Sequence, residues 1–298
     1  MRMKLILAAM ILVLPLGAQE LTLSGSLGMD FLFQFQPPPV DVNAALSLKI
    51  DAGKGGVESR TIFSLFGLEA EKLWMWWNFH GLTLKSGLTF DPCFSQWTME
   101  VRGCCPFSWG GMFLLGNLNP PCQTPSFSVG FVLDLGFGGT PGFLARGLIG
   151  FGVQDLEHLI DNDPWTEVTL VHGWYFEEVL LHFAFATDCL HLYTTWMFND
   201  AGLGFGELGA SYRFCCPAVD LGAALRFKST FALDWAKLLL GVTVEPVSIY
   251  STTAFDFTGF LWQEIGIKVQ FSQVLLYSAT RFTLLGLEWV KVGFELRF

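Results

Sequence analysis

Residues 21–36 read LTLSGSLGMDFLFQFQ, and this stretch decides the fold. Its odd positions, from Leu21 to Phe35, carry Leu, Met, Phe and one Gly. Its even positions carry Thr, Ser, Gly, Asp and Gln with a single Leu. Because the side chains of a β-strand alternate between its two faces, this pattern predicts a strand with one apolar and one polar face.

The same alternation recurs along the chain, separated by turn-forming residues. Further alternating runs occupy residues 40–51, 127–137, 219–228 and 265–271. Turn signals rich in Gly, Pro, Asn and Asp fall between the runs, at residues 37–39, 53–56, 91–92, 138–142, 161–164, 199–202, 216–217 and 245–246. Strand, turn and strand at this density predict an antiparallel meander.

The composition indicates which solvent the apolar faces meet. Hydrophobic residues make up 52% of the chain and charged residues only 15%, whereas a water-soluble domain has about 25% charged residues. Membrane helices are excluded, because the longest charge-free stretch, residues 103–133, contains four prolines. Lipid-facing strands around a polar lumen account for both observations, and such a sheet must close on itself. We therefore predict an all-β, transmembrane, antiparallel up-and-down β-barrel of about 16 strands, within a range of 14–18.

The amino-terminal residues predict export. A basic Met-Arg-Met-Lys head precedes the apolar run Leu5–Leu14, and Ala18 suits the last position before a signal-peptide cut. An uncleaved anchor is the alternative, but the run is shorter than the ~20 residues of a spanning helix. We expect a signal peptide at 1–18 and a barrel at 19–298, with a Cys/Pro-rich loop region at about 91–126.

The net charge excludes one class of partner. Residues 1–18 hold Arg2 and Lys4 and no acid, so the mature chain has 15 basic and 27 acidic residues, a net charge of −12. Phosphate binding needs clustered Lys and Arg, so nucleic acid is not an expected partner.

The last strand carries a family resemblance. Lys291, Gly293, Leu296 and the terminal Phe298 match a polar residue, a Gly and two hydrophobic positions. This pattern resembles the carboxyl-terminal signal of bacterial outer-membrane β-barrels, including the porins, although it covers only one strand and indicates no specific family. The resemblance implies recognition by the barrel-assembly machinery and residence among outer-membrane lipids.

Seven cysteines raise the question of disulfides or metal. Cys93, Cys104, Cys105 and Cys122 cluster among prolines, and in an oxidising compartment they could tie down a loop folded across the lumen. The cluster has no Cys-x-x-Cys pair and no His, so we expect disulfides or inert thiols and neither a metal nor a cofactor. At least one cysteine is left over from intramolecular pairing.

Two histidines and an acidic segment are candidate chemical sites. His182 and His191 flank a predicted turn on polar registers and could face each other across a hairpin. Without a recognisable nucleophile or metal partner, a lipid-modifying enzyme is the weaker alternative. The acidic residues at 155–163 lack the Gly and closing Glu of a calcium loop, so we interpret them as a solvated loop.

Tryptophans suit the aromatic girdles at which a barrel meets lipid headgroups. The candidates for this role are Trp74, Trp76, Trp77, Trp165, Trp174, Trp196 and Trp262.

The preferred function is a porin-like channel for passive diffusion of small hydrophilic solutes. Its predicted lumen carries both signs of charge, which favours a transverse field over strong ion selectivity. The pore-lining candidates are Asp134, Arg146, Asp220, Arg226, Lys228, Asp256, Lys268, Arg281, Lys291, Glu295 and Arg297. The alternative is a non-conducting structural or surface-interaction barrel. The sequence leaves open whether the chain forms a homo-oligomer.

Overall fold

The computed structural model describes residues 22–35, 40–91, 93–103, 107–119, 126–139, 141–160, 168–215 and 218–298. Within these residues the chain forms one antiparallel sheet of 18 strands. Its first nine strands are β1 (Thr22–Gln34), β2 (Val40–Asp51), β3 (Gly55–Ser64), β4 (Gly67–Phe79), β5 (Leu82–Asp91), β6 (Cys93–Gly103), β7 (Phe107–Asn117), β8 (Phe127–Gly138) and β9 (Gly142–Phe151). The other nine are β12 (Phe176–Ala186), β13 (Leu190–Asn199), β14 (Gly202–Cys215), β15 (Ala218–Lys228), β16 (Leu233–Val244), β17 (Val247–Asp256), β18 (Gly259–Phe271), β19 (Val274–Thr283) and β20 (Gly286–Arg297).

Between β9 and β12, the described residues 152–160 and 168–175 form what we call the inner loop. It contains the short strands β10 (Val153–Gln154) and β11 (Thr169–Leu170), which pair with each other. Between them lies one turn of 3-10 helix, Leu156–Leu159, called here the inner helix.

Closure of the sheet joins its first and last strands. β1 pairs with β2 on one side and with β20 on the other, with Asp30 opposite Gly293. Beyond the end of β20, the amide N–H of Gly25 in β1 donates to the carbonyl of Phe298 at 2.8 Å, and the amide N–H of Phe298 donates to the carbonyl of Gly25 at 3.0 Å. The ring of Phe298 lies against Gly25, where a Cβ would come within 2.8 Å of ring atoms. Phe298 is therefore part of the seam that closes the barrel.

Four hairpins at one end of the barrel share a five-residue motif that begins with Phe and ends with Gly. The sequences are FSLFG (63–67), FNDAG (198–202), FDFTG (255–259) and FTLLG (282–286). A register shift precedes each Phe, and each Gly has a φ between 111° and 124°, a conformation that glycine adopts at no steric cost. The resulting turns are only two residues long. Because these turns use few residues, more of the chain is available for strands. The barrel has 18 strands, at the upper limit of the predicted range of 14–18 and two more than the favoured 16.

The all-β antiparallel barrel predicted from the alternation is confirmed, but the expected loop at 91–126 differs from the structure. That segment contains the whole of β6 and β7. The inner face of β7 carries Met112 and Leu114, and these side chains pack against the inner loop and its apolar cluster. With apolar residues on both faces the alternation disappears, and the strand cannot be recognised from its period.

The outer face of the barrel is apolar and exposed. Large side chains on it include Leu27, Leu48, Leu221, Leu238 and Ile267, each at least 38% exposed. Such a surface is the lipid-facing band of a transmembrane barrel. Among the described residues, no helix has both the length and the apolar character to cross a membrane.

Two adjacent leucines allow a direct test of the two faces. Leu238 on the outer face and Leu239 on the inner face lie near the middle of β16 and are 53% and 46% exposed. Leu238→Arg should lower the free energy of unfolding in phospholipid vesicles by about 2–4 kcal/mol, because the charge enters hydrocarbon. Leu239→Arg, the matched control, should cost less than about 1 kcal/mol. Urea titration followed by heat-modifiable gel migration measures both, and equal losses would contradict the assignment of faces.

Candidate functional site

The inner face is identified by contacts to the inner helix from well-separated strands. Arg146 on β9 donates through Nη1 to the carbonyl of Leu159 at 2.9 Å. Arg226 on β15 donates through Nη2 to the carboxylate of Glu157 at 2.5 Å. Because both side chains reach the same helix from strands four apart around the sheet, that face encloses the lumen. The cross-strand registers then assign every other strand residue to one face or the other.

All lysines and arginines of the described strands lie on this inner face by register. Ten of the eleven pore-lining candidates do so as well, namely Asp134, Arg146, Asp220, Arg226, Lys228, Lys268, Arg281, Lys291, Glu295 and Arg297. Asp256 instead sits at the tip of the β17–β18 hairpin. There its carboxylate accepts hydrogen bonds from the amide N–H groups of Thr258 and Gly259, because an Asp at that turn position caps the turn.

Many of the lumenal charges are held in ion pairs. Arg146 binds Asp134 through two hydrogen bonds of 3.0 and 2.7 Å. Comparable pairs join Arg226 to Glu207 at 3.0 Å, Arg281 to Glu264 at 2.9 Å, Lys291 to Asp30 at 3.0 Å and Arg297 to Glu295 at 2.8 Å. Arg102 also pairs with Glu100. Each of these six basic side chains lies beside a carboxylate of opposite charge, so the pairs together carry almost no net charge.

Aromatic rings flank two of these arginines in the same way. The Arg226 guanidinium lies 4.0 Å from the ring centroid of Phe205 and 5.4 Å from that of Trp235. The Arg281 guanidinium lies 4.3 Å from Trp262 and 5.0 Å from Trp289. Cation–π attraction stabilises each arrangement. Both lie near the end of the barrel that carries the four Phe-Gly hairpins, and we call them the two arginine–aromatic stacks.

Other lumenal rings lie flat on the wall over glycines of a neighbouring strand. Tyr193 covers Gly209, Tyr250 covers Gly266 and Tyr277 covers Gly293; a Cβ at each of these glycines would collide with the ring. Trp74 covers Gly87 and Trp76 covers Gly56 in the same manner. A large side chain placed flat on a glycine occupies little of the cross-section. These pairs therefore line the lumen without filling it.

The register thus corrects the girdle prediction for three tryptophans. Trp74, Trp76 and Trp262 face the lumen, whereas Trp77 and Trp196 lie on the outer face. Trp174 lies in the inner loop and stacks on Phe151 with 6.5 Å between ring centroids, and Trp165 lies outside the described residues. The sequence contained the signal that was missed. Trp262 is an even number of residues from Lys268, a predicted pore-lining residue on the same strand, so the period of two places both on one face.

The inner loop covers one side of the lumen. Val153 and Leu156 are fully buried against Leu114, Leu148 and Leu180 of three different strands. Burial of each such side chain stabilises the packed loop by about 1.5–3 kcal/mol. The amide N–H of Leu156 donates to the Glu178 carboxylate at 2.5 Å, and the Ser128 hydroxyl donates to the carbonyl of Val171 at 2.6 Å. Apolar packing and these polar contacts fix the loop to the wall formed by β7–β9 and β12.

The opposite wall carries an open cavity of about 340 Å³, called here the seam pocket because it lies beside the β1–β20 seam. Strands β1, β2, β3, β19 and β20 form it. Gly28 and Ala45 form part of its surface, and its polar lining residues include Ser26, Asn43, Ser47, Arg60, Tyr277 and Glu295.

The two histidines are not opposite each other on the β12–β13 hairpin, where His182 is opposite Thr195 and His191 is opposite Ala186. His182 is buried, and its Nδ1 lies 2.9 Å from the Thr195 hydroxyl. The Tyr193 ring lies near both imidazoles, with ring centroids 6.0 Å from His182 and 5.7 Å from His191. Tyr193 therefore lies between the two histidines, which the sequence suggested could face each other across the hairpin.

Part of the cysteine cluster lies within the described residues. Cys93 is disulfide-bonded, while Cys104, Cys105 and Cys122 lie outside those residues, as do residues 161–163 of the acidic segment. Within the described ranges, no group of three or more His, Cys, Asp and Glu side chains is placed to hold a metal ion.

Comparison with known proteins relates the barrel to a structural class. Neither a family model nor a curated protein matches this sequence. Solved structures do match. One mutant of the Rhodopseudomonas blastica porin superimposes with a TM-score of 0.54 at 10% sequence identity, over 94% of this chain and 100% of the other. A triple mutant of the same porin gives 0.54 at 11% identity, with the same coverage. The barrel has the porin fold. At this identity the likeness extends to the fold alone.

The attachment of the inner loop can be tested through Arg146, which joins the inner helix to the wall of this porin-fold barrel. Arg146→Ala removes the bonds to Asp134 and Leu159 and should lower the free energy of local opening by about 1–3 kcal/mol. The amide of Leu156 should then exchange with deuterium faster, by hydrogen-exchange mass spectrometry. Arg213→Ala, which removes an exposed Arg213–Asp220 pair, is the matched control and should leave that amide unchanged. Unaltered exchange in the first variant would contradict the proposed anchoring.

Proposed function

We propose that the chain is a porin-like channel of the bacterial outer membrane that admits small hydrophilic solutes by passive diffusion. The observation that carries this proposal is the asymmetry of the lumen. The inner loop packs on β7–β9 and β12, whereas the opposite wall keeps polar, charged and flat aromatic side chains around an open cavity. A polar lumen inside an apolar exterior is the arrangement of a diffusion channel.

The proposal includes the maturation of the chain. Residues 1–18 are removed as a signal peptide, and residues 19–298 insert among outer-membrane lipids. The barrel-assembly machinery reads Lys291, Gly293, Leu296 and Phe298. The position of Phe298 in the closing seam supports a role for this residue in the final step of assembly. Assembly into a homo-oligomer is part of the same proposal.

The pairing of lumenal charges supports weak ion selectivity. An arginine bound to a carboxylate presents a small net charge to a passing ion, and both signs occur on the same wall. The ten inner candidates would line the pore in this reading. Opposed charges of this kind order water across the lumen and slow both cations and anions to a similar degree.

One observation favours the alternative of a closed barrel. Glu157 of the inner helix reaches Arg226 on β15, beyond the wall on which the loop packs. The loop therefore spans part of the cross-section. If the remaining opening is too narrow for hydrated solutes, the barrel is structural and does not conduct.

Single-channel recording in planar bilayers distinguishes the two functions. We expect the wild-type protein to conduct with little preference between potassium and chloride. Replacement of residues 155–170 by a short Gly-Ser linker, with Leu148→Ser and Leu180→Ser to keep the uncovered wall polar, should raise the conductance. The widened passage is the physical reason, since the inner helix is removed from the lumen.

The double variant Leu148→Ser/Leu180→Ser with the loop intact is the control for the loop replacement. A folded wild-type barrel that never opens, beside a loop-replaced variant that conducts, would establish the closed barrel. If neither protein conducts, although heat-modifiable gel migration shows that both are folded, the channel hypothesis is wrong.

A further inference from the structure

The seam pocket has the size of a small-molecule subsite. Its volume of about 340 Å³ lies at the lower end of the ~300–1,000 Å³ found for ligand sites. At ~30 Å³ for each water of the liquid, the same space holds about eleven waters. A monosaccharide or a disaccharide unit is of this size, whereas a long chain is not.

The polar groups of the pocket are numerous and of mixed hydrogen-bonding type. Ser26 and Ser47 present hydroxyls, Asn43 an amide, and Glu295 a carboxylate. Hydroxyls and the amide both donate and accept, while the carboxylate only accepts. A ligand that matches them needs several groups that can also donate and accept. Sugar hydroxyls have this property.

Both carboxylates that line the pocket are paired with basic side chains, and the third charged lining residue, Arg60, is also engaged in an interaction. Asp30 is bound to Lys291 at 3.0 Å, and Glu295 is bound to Arg297 at 2.8 Å. A charged solute would have to compete with these ion pairs for its counter-charge, at a cost in desolvation. A neutral solute can use the remaining hydrogen-bonding capacity without breaking either pair.

Aromatic rings lie at the pocket and farther along β20 toward one end of the barrel. The Tyr277 ring lies over Gly293 at the pocket itself, with the Lys291 ammonium 5.8 Å from the ring centroid. Trp289 is four residues from Gly293 on the same face of β20, or about 14 Å along the strand, and belongs to the arginine–aromatic stack of Arg281. Flat rings attract the slightly positive C–H groups on the face of a pyranose through their negative π-faces.

We propose that the seam pocket is a binding subsite for ring-form neutral sugars, with Tyr277 as the stacking surface and Ser26, Asn43 and Ser47 as hydroxyl partners. The inference rests on the proposed channel function, of which it names the solute class. Solutes would enter past Trp289 and pause at the pocket before leaving at the other end.

Maltose and sorbitol are the probes for this subsite, because sorbitol carries hydroxyls without a ring. In single-channel recordings on the wild-type protein, maltose should interrupt the ion current in a concentration-dependent manner and sorbitol should not. Gly28→Leu fills the pocket from its surface; a Cβ at Gly28 meets only the carbonyl of Phe294 at 3.6 Å, so the strand tolerates it. This variant should weaken the maltose block about tenfold or more.

Matched variants separate loss of the pocket from general narrowing. Gly222→Leu adds the same side chain to the lumenal face of β15, where a Cβ lies 3.4 Å from Leu239, and should keep maltose block within about twofold of the wild type. Tyr277→Leu should weaken block about tenfold. Tyr193→Leu removes an equivalent ring on β13, away from the pocket, and should leave block unchanged.

The outcomes separate the two proposals. Conductance without maltose block, or equal block by maltose and sorbitol, overturns the sugar subsite and leaves the channel intact. Maltose block that persists in Gly28→Leu places the binding elsewhere and also overturns it. Stronger block by adenosine than by maltose would overturn it too, by assigning the surface to planar bases. A folded wild-type barrel without any conductance overturns the channel, and the subsite with it.

Discussion

Every backbone N–H and C=O in the hydrocarbon layer must have a partner within the protein, since each unsatisfied group there costs several kcal/mol. The pairing of β20 with β1 meets this requirement, because it converts a long sheet with two open edges into a barrel with none. Once the sheet is closed, the period of two assigns each residue to lipid or to lumen. The apolar exterior, the confinement of basic strand residues to the interior and the flat lumenal rings all follow from that division.

The interior is asymmetric because one wall is apolar and packs against the inner loop, whereas the opposite wall is polar and open. On the β7–β12 side, Leu114, Leu148 and Leu180 face inward. The inner loop covers these leucines with apolar side chains and so keeps them out of contact with water. On the seam side, glycines such as Gly293 allow tyrosines to lie along the wall. Ion pairs hold the charged side chains against the same wall. The lumen is therefore bounded on one side by the inner loop, which covers an apolar wall, and on the other side by a polar wall.

Much of the architecture could be predicted from the sequence, because residues such as Leu21–Phe35 and those of the last strand alternate without interruption. The exact strand number could not, since it depends on two-residue turns whose register shifts occur at Phe63, Phe198, Phe255 and Phe282. β7 escaped detection because Leu114 packs on a loop that is distant in sequence. The residue type of Trp262 is typical of a girdle at the lipid headgroups, although its even spacing from Lys268 places both residues on the lumenal face. The seam pocket is formed by the first three and the last two strands of the barrel, and no local sequence pattern shows that these strands are neighbours.

The hydrogen bonds between Gly25 and Phe298 join residues that are far apart along the chain. All other neighbouring barrel strands are consecutive along the polypeptide, apart from the step across the inner loop, and can form hairpins as they arrive. The seam forms only when both termini of the barrel are present. Without β20, β1 and β19 would each keep one unpaired edge. A deletion as small as the last strand therefore leaves two rows of unsatisfied backbone groups on opposite termini of the sheet, and the pairing of Phe298 with Gly25 completes the closure.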